Sequence, residues 1–170
     1  NNPKIVDSIQ LSDMSAPFTQ YLNFDKGTAG LALLVFLCQP LRDLGGFKKI
    51  IVPTILIALG TVLVTFATGL AMGYVNIDIK YPAYTPYFIV INLFFACLVE
   101  EVFFRGIIQQ RLATIFANPV LAYVIPIVVS ALLFGIAHLG GGPALFVLST
   151  MAGAGYGVAF AYTTSGESAI

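Results

Sequence analysis

Apolar residues fill most of this chain in long unbroken runs parted by short polar stretches, a pattern of buried or lipid-facing helices rather than amphipathic ones. Residues 1–27 are the exception. Lys4, Asp7, Asp13, Asp25 and Lys26 are scattered among apolar neighbours there, which reads as an extra-membrane or interfacial segment. Residues 28–41 are apolar but short of the about 20 residues a span needs, and suit a tilted first helix or a re-entrant piece. Residues 42–49 read as a basic loop, and 51–73 as an uninterrupted span with Pro53 near its start, where a helix tolerates it. Residues 74–86 form a Tyr- and Pro-rich loop of the kind found at a headgroup boundary, with Tyr81, Tyr84 and Tyr87 as interfacial anchors. A third span starts at Tyr87, stays apolar to Val99 and runs on into Glu100 and Glu101. Pro119 marks a break. Residues 121–139 are a fourth span, closing on His138 and a Gly140-Gly141-Gly142-Pro143 turn. Residues 144–162 are a fifth, with Gly153 and Gly157 spaced as a small-xxx-small packing face. The pattern predicts an all-α, polytopic transmembrane helix bundle of about five spans, with one membrane domain over residues 28–170 and no internal repeat.

Composition sharpens this reading. Of 170 residues, 58% are hydrophobic and only 9% charged, where a soluble domain has about 25% charged residues. Formal net charge is zero, so there is no basic face of the kind a nucleic-acid binder needs. Cys38 and Cys97 lie inside apolar runs and are read as small packing residues, with no Cys/His spacing that suggests a metal or other cofactor. The start carries no signal-peptide pattern, and the opening on Asn1 suits a fragment of a longer chain. The two basic loops, 42–49 and 105–111, fall on one side of the predicted spans. Positive-inside logic makes that side cytoplasmic or stromal and puts the N-terminus opposite.

Against this background a few ionisable residues stand out. Glu100 and Glu101 follow thirteen uncharged residues, and an acid at a helix centre in the bilayer costs about 2.5–3.5 kcal/mol. Arg105 lies four residues after Glu101, on the same helix face, and is placed to pair with it. Glu100 points about 100° away, which leaves one acid with a counter-ion and one without. The bland alternative is a solvated pair at a helix end. His138, the one histidine, closes the fourth span; a lone His in an apolar helix is by default a packing residue. A Glu and a His sharing a water have the parts of a general-base hydrolase. The two meet only if the third helix continues past Arg105 to about Ala113, which the helix-compatible residues there allow. Gln109 and Gln110 then fall in a solvated continuation of that helix, and Glu167, three residues after Thr164, is placed to cap a further one.

Glu100-Glu101-Val102-Phe103-Phe104-Arg105-Gly106 matches the E-E-x-x-x-R-G signature of the CPBP family of CAAX proteases and bacteriocin-processing enzymes, and Phe134 to His138 matches its second signature, F-x-x-x-H. The resemblance covers about residues 90–170. It implies intramembrane proteolysis without a metal or other cofactor, with Glu100 activating a water, His138 assisting, Glu101 and Arg105 as a supporting ion pair, and Phe134 packing the second motif. The family's third signature, H-x-x-x-N, has no match. The chain stops at Ile170 where the next helix is due, which we read as truncation with at least one more span to come.

Two function classes follow. One is an intramembrane endopeptidase acting on a membrane-associated protein or peptide. The other is a non-proteolytic protein of the same fold, serving as assembly factor, subunit or binding partner in a larger membrane-protein complex. A channel or transporter is a poorer fit without repeated halves. The bilayer itself is the surrounding partner in each case, in a bacterial inner membrane or a thylakoid or other organelle membrane.

Overall fold

The computed structural model describes residues 2–12, 15–37 and 44–167; Cys38 and Arg42 lie outside them. Among these residues five helices follow a short hairpin: β1 (Lys4–Ile9), β2 (Phe18–Tyr21), α1 (Phe24–Leu37), α2 (Leu44–Ala71), α3 (Thr85–Ala113), α4 (Pro119–Ala137) and α5 (Pro143–Glu167). Among the described residues, α2, α3, α4 and α5 are long and apolar enough to cross a membrane. Their large apolar side chains turn outward, Leu56, Leu63 and Val120 being 63%, 69% and 65% exposed. Water would penalise such a surface and hydrocarbon does not. The protein is an all-α, multi-pass integral membrane protein.

Several boundaries differ from those the sequence suggests, each for a local reason. The 14 residues of α1 reach about 21 Å, short of the about 30 Å hydrocarbon core. Helix α2 opens at Leu44, so residues 44–49 are its first turns rather than a loop, and Pro53 sits inside the helix. That proline removes only the bond to the Lys49 carbonyl, near the polar end of the helix. Helix α4 starts at Pro119 because Asn118 caps it, its Oδ1 accepting from the amides of Val120 (2.9 Å) and Leu121 (3.2 Å). It ends at Ala137, with His138 as the capping residue. After a 3-10 turn (Leu139–Gly141), Gly142 takes φ +94, a left-handed value that favours glycine. Helix α5 runs unbroken through Thr164 to Glu167, so these two belong to its last turns and do not open a further helix.

The chain forms two compact units, residues 1–38 with 77–103, and residues 39–76 with 104–170. In the first, β1 and β2 pair antiparallel in the register Lys4↔Tyr21, Val6↔Gln20 and Ile9↔Phe18, with irregularities between. Phe18 stacks on Tyr84 at 5.6 Å and meets Phe88 edge-on at 5.8 Å, which makes Tyr84 a packing residue of the hairpin, while Tyr81 and Tyr87 stay exposed. The Lys80 ammonium donates to Asp78 Oδ2 at 2.7 Å and to Ser12 Oγ at 3.1 Å, and Ser12 donates to the same carboxylate, tying the hairpin turn to the 74–84 loop. Buried Gly27 and Gly30 let α1 lie against Phe95 and Val99 of α3, with no room for a side chain at either glycine.

In the second unit α5 packs against both α2 and α4. Phe104, Ile127, Ala131, Phe134 and Leu148 form its buried apolar core. Gly153 lies against Ala131 and Phe134, and Gly157 against Gln109 and Ile127. Small residues on one face of α5 thus let neighbouring backbones approach closely.

Candidate active site

Helix α3 is continuous from Thr85 to Ala113, so Glu100 and Glu101 lie at its middle rather than at a headgroup end. Glu100 is the sixteenth of 29 residues, about 22 Å from the start at 1.5 Å per residue. Two π-helical stretches, Leu93–Cys97 and Val102–Gln109, flank the four α-helical residues Leu98–Glu101 that carry both acids. Wider i→i+5 turns of this kind recur at functional sites, because they re-aim side chains within a helix. Both glutamates are half-buried. Among the described residues, the Glu100 carboxylate has no hydrogen-bond or ion-pair partner, whereas Glu101 is engaged.

Arg105 and His138 belong to the second unit and both meet the Phe134 ring. Arg105 is 1% exposed and donates from Nη1 to Ser130 Oγ at 2.6 Å. Ser130, 0% exposed, in turn donates a hydrogen bond to the Phe104 carbonyl at 2.9 Å. The guanidinium lies 5.7 Å from the Phe134 ring centroid, and the same ring meets Phe104 edge-on at 5.1 Å. Phe134 also meets His138, with ring centroids 4.5 Å apart. His138 Nδ1 is 2.8 Å from the Phe134 carbonyl. A carbonyl only accepts, so Nδ1 carries a hydrogen, and Nε2 is the nitrogen left to face other groups. Phe134 therefore does more than pack: its ring contacts both Arg105 and His138, and its carbonyl selects the imidazole tautomer.

Sequence reasoning missed two polar residues here. Gln109, expected to be solvated, is 3% exposed, and its Nε2 donates to the Gly157 carbonyl at 2.8 Å. Gly157 makes that approach possible, because a Cβ there would lie 3.0 Å from Gln109 Oε1 and 3.2 Å from Ile127. Ser130 was the second. Its signal was legible, as one of few polar groups within nineteen helix residues otherwise almost wholly apolar. Two further expectations change. Residues 105–111 are helix with Arg105 buried inside, leaving Arg111 as the exposed cation of that stretch, and Cys97 is exposed rather than packed. Among the described residues, no three His, Cys, Asp or Glu side chains gather where a metal could be held.

Compared with known proteins, residues 82–170, just over half of the chain, match the model of a family described as type II CAAX prenyl endopeptidase Rce1-like. No curated protein and no solved structure matches the chain.

Proposed function

The chain belongs to the type II CAAX prenyl endopeptidase Rce1-like family, and on that premise we propose that it is an intramembrane endopeptidase. It hydrolyses a peptide bond of a membrane-associated protein or peptide with a water activated by Glu100 and assisted by His138. The observation that carries this reading is Glu100 itself, a carboxylate halfway along an apolar 29-residue helix with no partner among the described residues. Such a group costs about 2.5–3.5 kcal/mol at the centre of a bilayer, a cost that a purely structural residue would not repay.

In this mechanism Glu100 takes a proton from water as the oxygen bonds to the scissile carbonyl carbon. The tetrahedral intermediate then collapses, the C–N bond breaks, and the proton is returned to the leaving amine. His138 assists through Nε2, the nitrogen left free by the Phe134 carbonyl. Glu101 and Arg105 are supporting charges, Arg105 being held by Ser130 and by the Phe134 ring. Residues 1–27 serve as an extra-membrane or interfacial segment.

The test compares the full-length protein with Glu100→Gln and His138→Ala variants in membranes, reading peptide products by mass spectrometry. Products that depend on the unaltered protein should fall by about 10²-fold or more in both variants at equal protein levels. Identical peptide profiles in all three sink the proteolytic reading.

A further inference from the structure

Between the hairpin and the first turns of α3, within one compact unit, lies a cavity of about 230 Å³. All four residues of β2 line it, together with Asn23 and with Phe88, Asn92 and Ala96 of α3. Successive strand residues point to opposite faces, so a cavity touched by four in a row runs along the edge of β2 rather than over a face. Among the described residues the sheet has two strands, with β1 on the other edge of β2. Gln20, 8% exposed, lines the cavity and makes no side-chain hydrogen bond among the described residues. The other polar lining is neutral as well: Thr19 and the carboxamides of Asn23 and Asn92, with aromatic rings between.

We propose that this cavity is a docking site for an extended segment of the polypeptide substrate, which adds to the free edge of β2 and lies along α3 toward Glu100. The inference rests on the proteolytic reading above. A strand edge supplies main-chain donors and acceptors, neutral carboxamides complement peptide groups, and the aromatic walls accept side chains. No charged residue lines the cavity, so an anionic phosphate headgroup finds no counter-ion there. Its volume is also below the about 300–1,000 Å³ of small-molecule sites and suits one or two side chains of a longer chain. Asn92, Ala96 and Glu100 follow one another at four-residue steps along α3, through the π-helical turn Leu93–Cys97, so the helix leads from the cavity to the proposed base. From Asn92 to Glu100 is about 12 Å along the axis, which about two to four extended residues cover. The hairpin lies outside the residues that match the family, so the docking edge is a feature of this chain's own N-terminal segment.

The experiment uses the full chain with Glu100→Gln in detergent micelles, so binding is read without cleavage. The probe is a capped decapeptide of alternating Val and Thr bearing one diazirine residue, compared with the same peptide N-methylated at every second amide. Photolabel should map to residues 18–23 and 88–96, and fall about tenfold on N-methylation, the loss expected when about one net hydrogen bond's worth of pairing goes. Gln20→Ala should give a similar fall. The N-methylated probe needs no folding control, since it changes only the ligand. Equal labelling by both peptides, or label elsewhere, overturns the proposal. Label in the cavity from a diazirine phosphatidylcholine but not from the peptide assigns it to lipid and also overturns it. Cleavage by the unaltered protein is measured separately. Failed labelling with intact cleavage defeats only the docking site, and labelling without cleavage by any form defeats only the protease.

Discussion

Arg105 is a buried charge whose position is fixed by a hydroxyl. Its Nη1 donates to Ser130 Oγ, and Ser130 in turn donates to the Phe104 carbonyl, so one serine orients both a guanidinium and a backbone acceptor. Ser130→Ala removes the acceptor and the donor at once. Loss of a buried hydrogen bond to a charged group costs about 1.5–3 kcal/mol. We expect the variant's unfolding free energy in detergent to drop by about that much, with a fall in any proteolytic activity beyond the change in folded fraction. An unchanged melting transition would show that the serine bears no such load. The same physics explains what was legible. Glu100, Arg105 and His138 stood out because charge inside an apolar run is costly and so must have a purpose. Gln109 did not, because an amide near a helix end is ordinarily solvated, and its contact with Gly157, forty-eight residues on, is not visible in the sequence.

Elements add what single residues do not carry. The hairpin was invisible in the sequence: Lys4 to Ile9 and Phe18 to Tyr21 are too short and too mixed in polarity to separate from loop, and their pairing draws support from Tyr84 and Phe88 far along the chain. Its turn is fastened electrostatically. The hydrogen bond from Lys80, reinforced by that from Ser12, holds the Asp78 carboxyl below its ordinary value of 3.8. A carboxyl with a lowered folded pKa lends stability that is full above the ordinary value and is lost as pH falls through the folded one. Spin labels at Ile9 and Ile79, both exposed, should therefore report a narrow distance distribution near neutral pH that broadens below about pH 3.8. Asp78→Asn should broaden it at every pH. A distribution that stays narrow down to about pH 2 in the unaltered chain would mean that aromatic packing alone holds the hairpin. The helices, by contrast, were readable as spans from hydropathy, and their ends were not. Asn118 and Gly142 set two of those ends through capping and a left-handed turn, which a count of apolar residues does not register.

For the molecule as a whole, the order of spans fixes which segments share a face of the membrane. Helix α3 crosses once, so the 74–84 loop at its start and residues 114–118 at its end lie on opposite sides. The spanning part of α2, Lys49–Ala71, is the preceding span and so crosses in the reverse sense, which puts its basic start on the side of residues 114–118. The positive-inside orientation draws no support from Arg105, which is buried in the helix rather than set in a loop. It survives on other residues. Lys49 and Arg111 flank one face, while Asp78 and Lys80 cancel on the other. Positive-inside logic then places residues 114–118 in the cytoplasm or its organellar equivalent. In bacterial cells expressing the chain with Cys38→Ser and Cys97→Ser, a cysteine at Ile79, 97% exposed, should react with a membrane-impermeant maleimide from outside. One at Ile115, 69% exposed, should react only after lysis. The reverse pattern would keep the spans and invert the charge rule. Reaction of both from outside would mean that α3 does not cross, and Glu100 would then sit in water, where a carboxylate costs nothing and the reason for calling it a catalyst disappears.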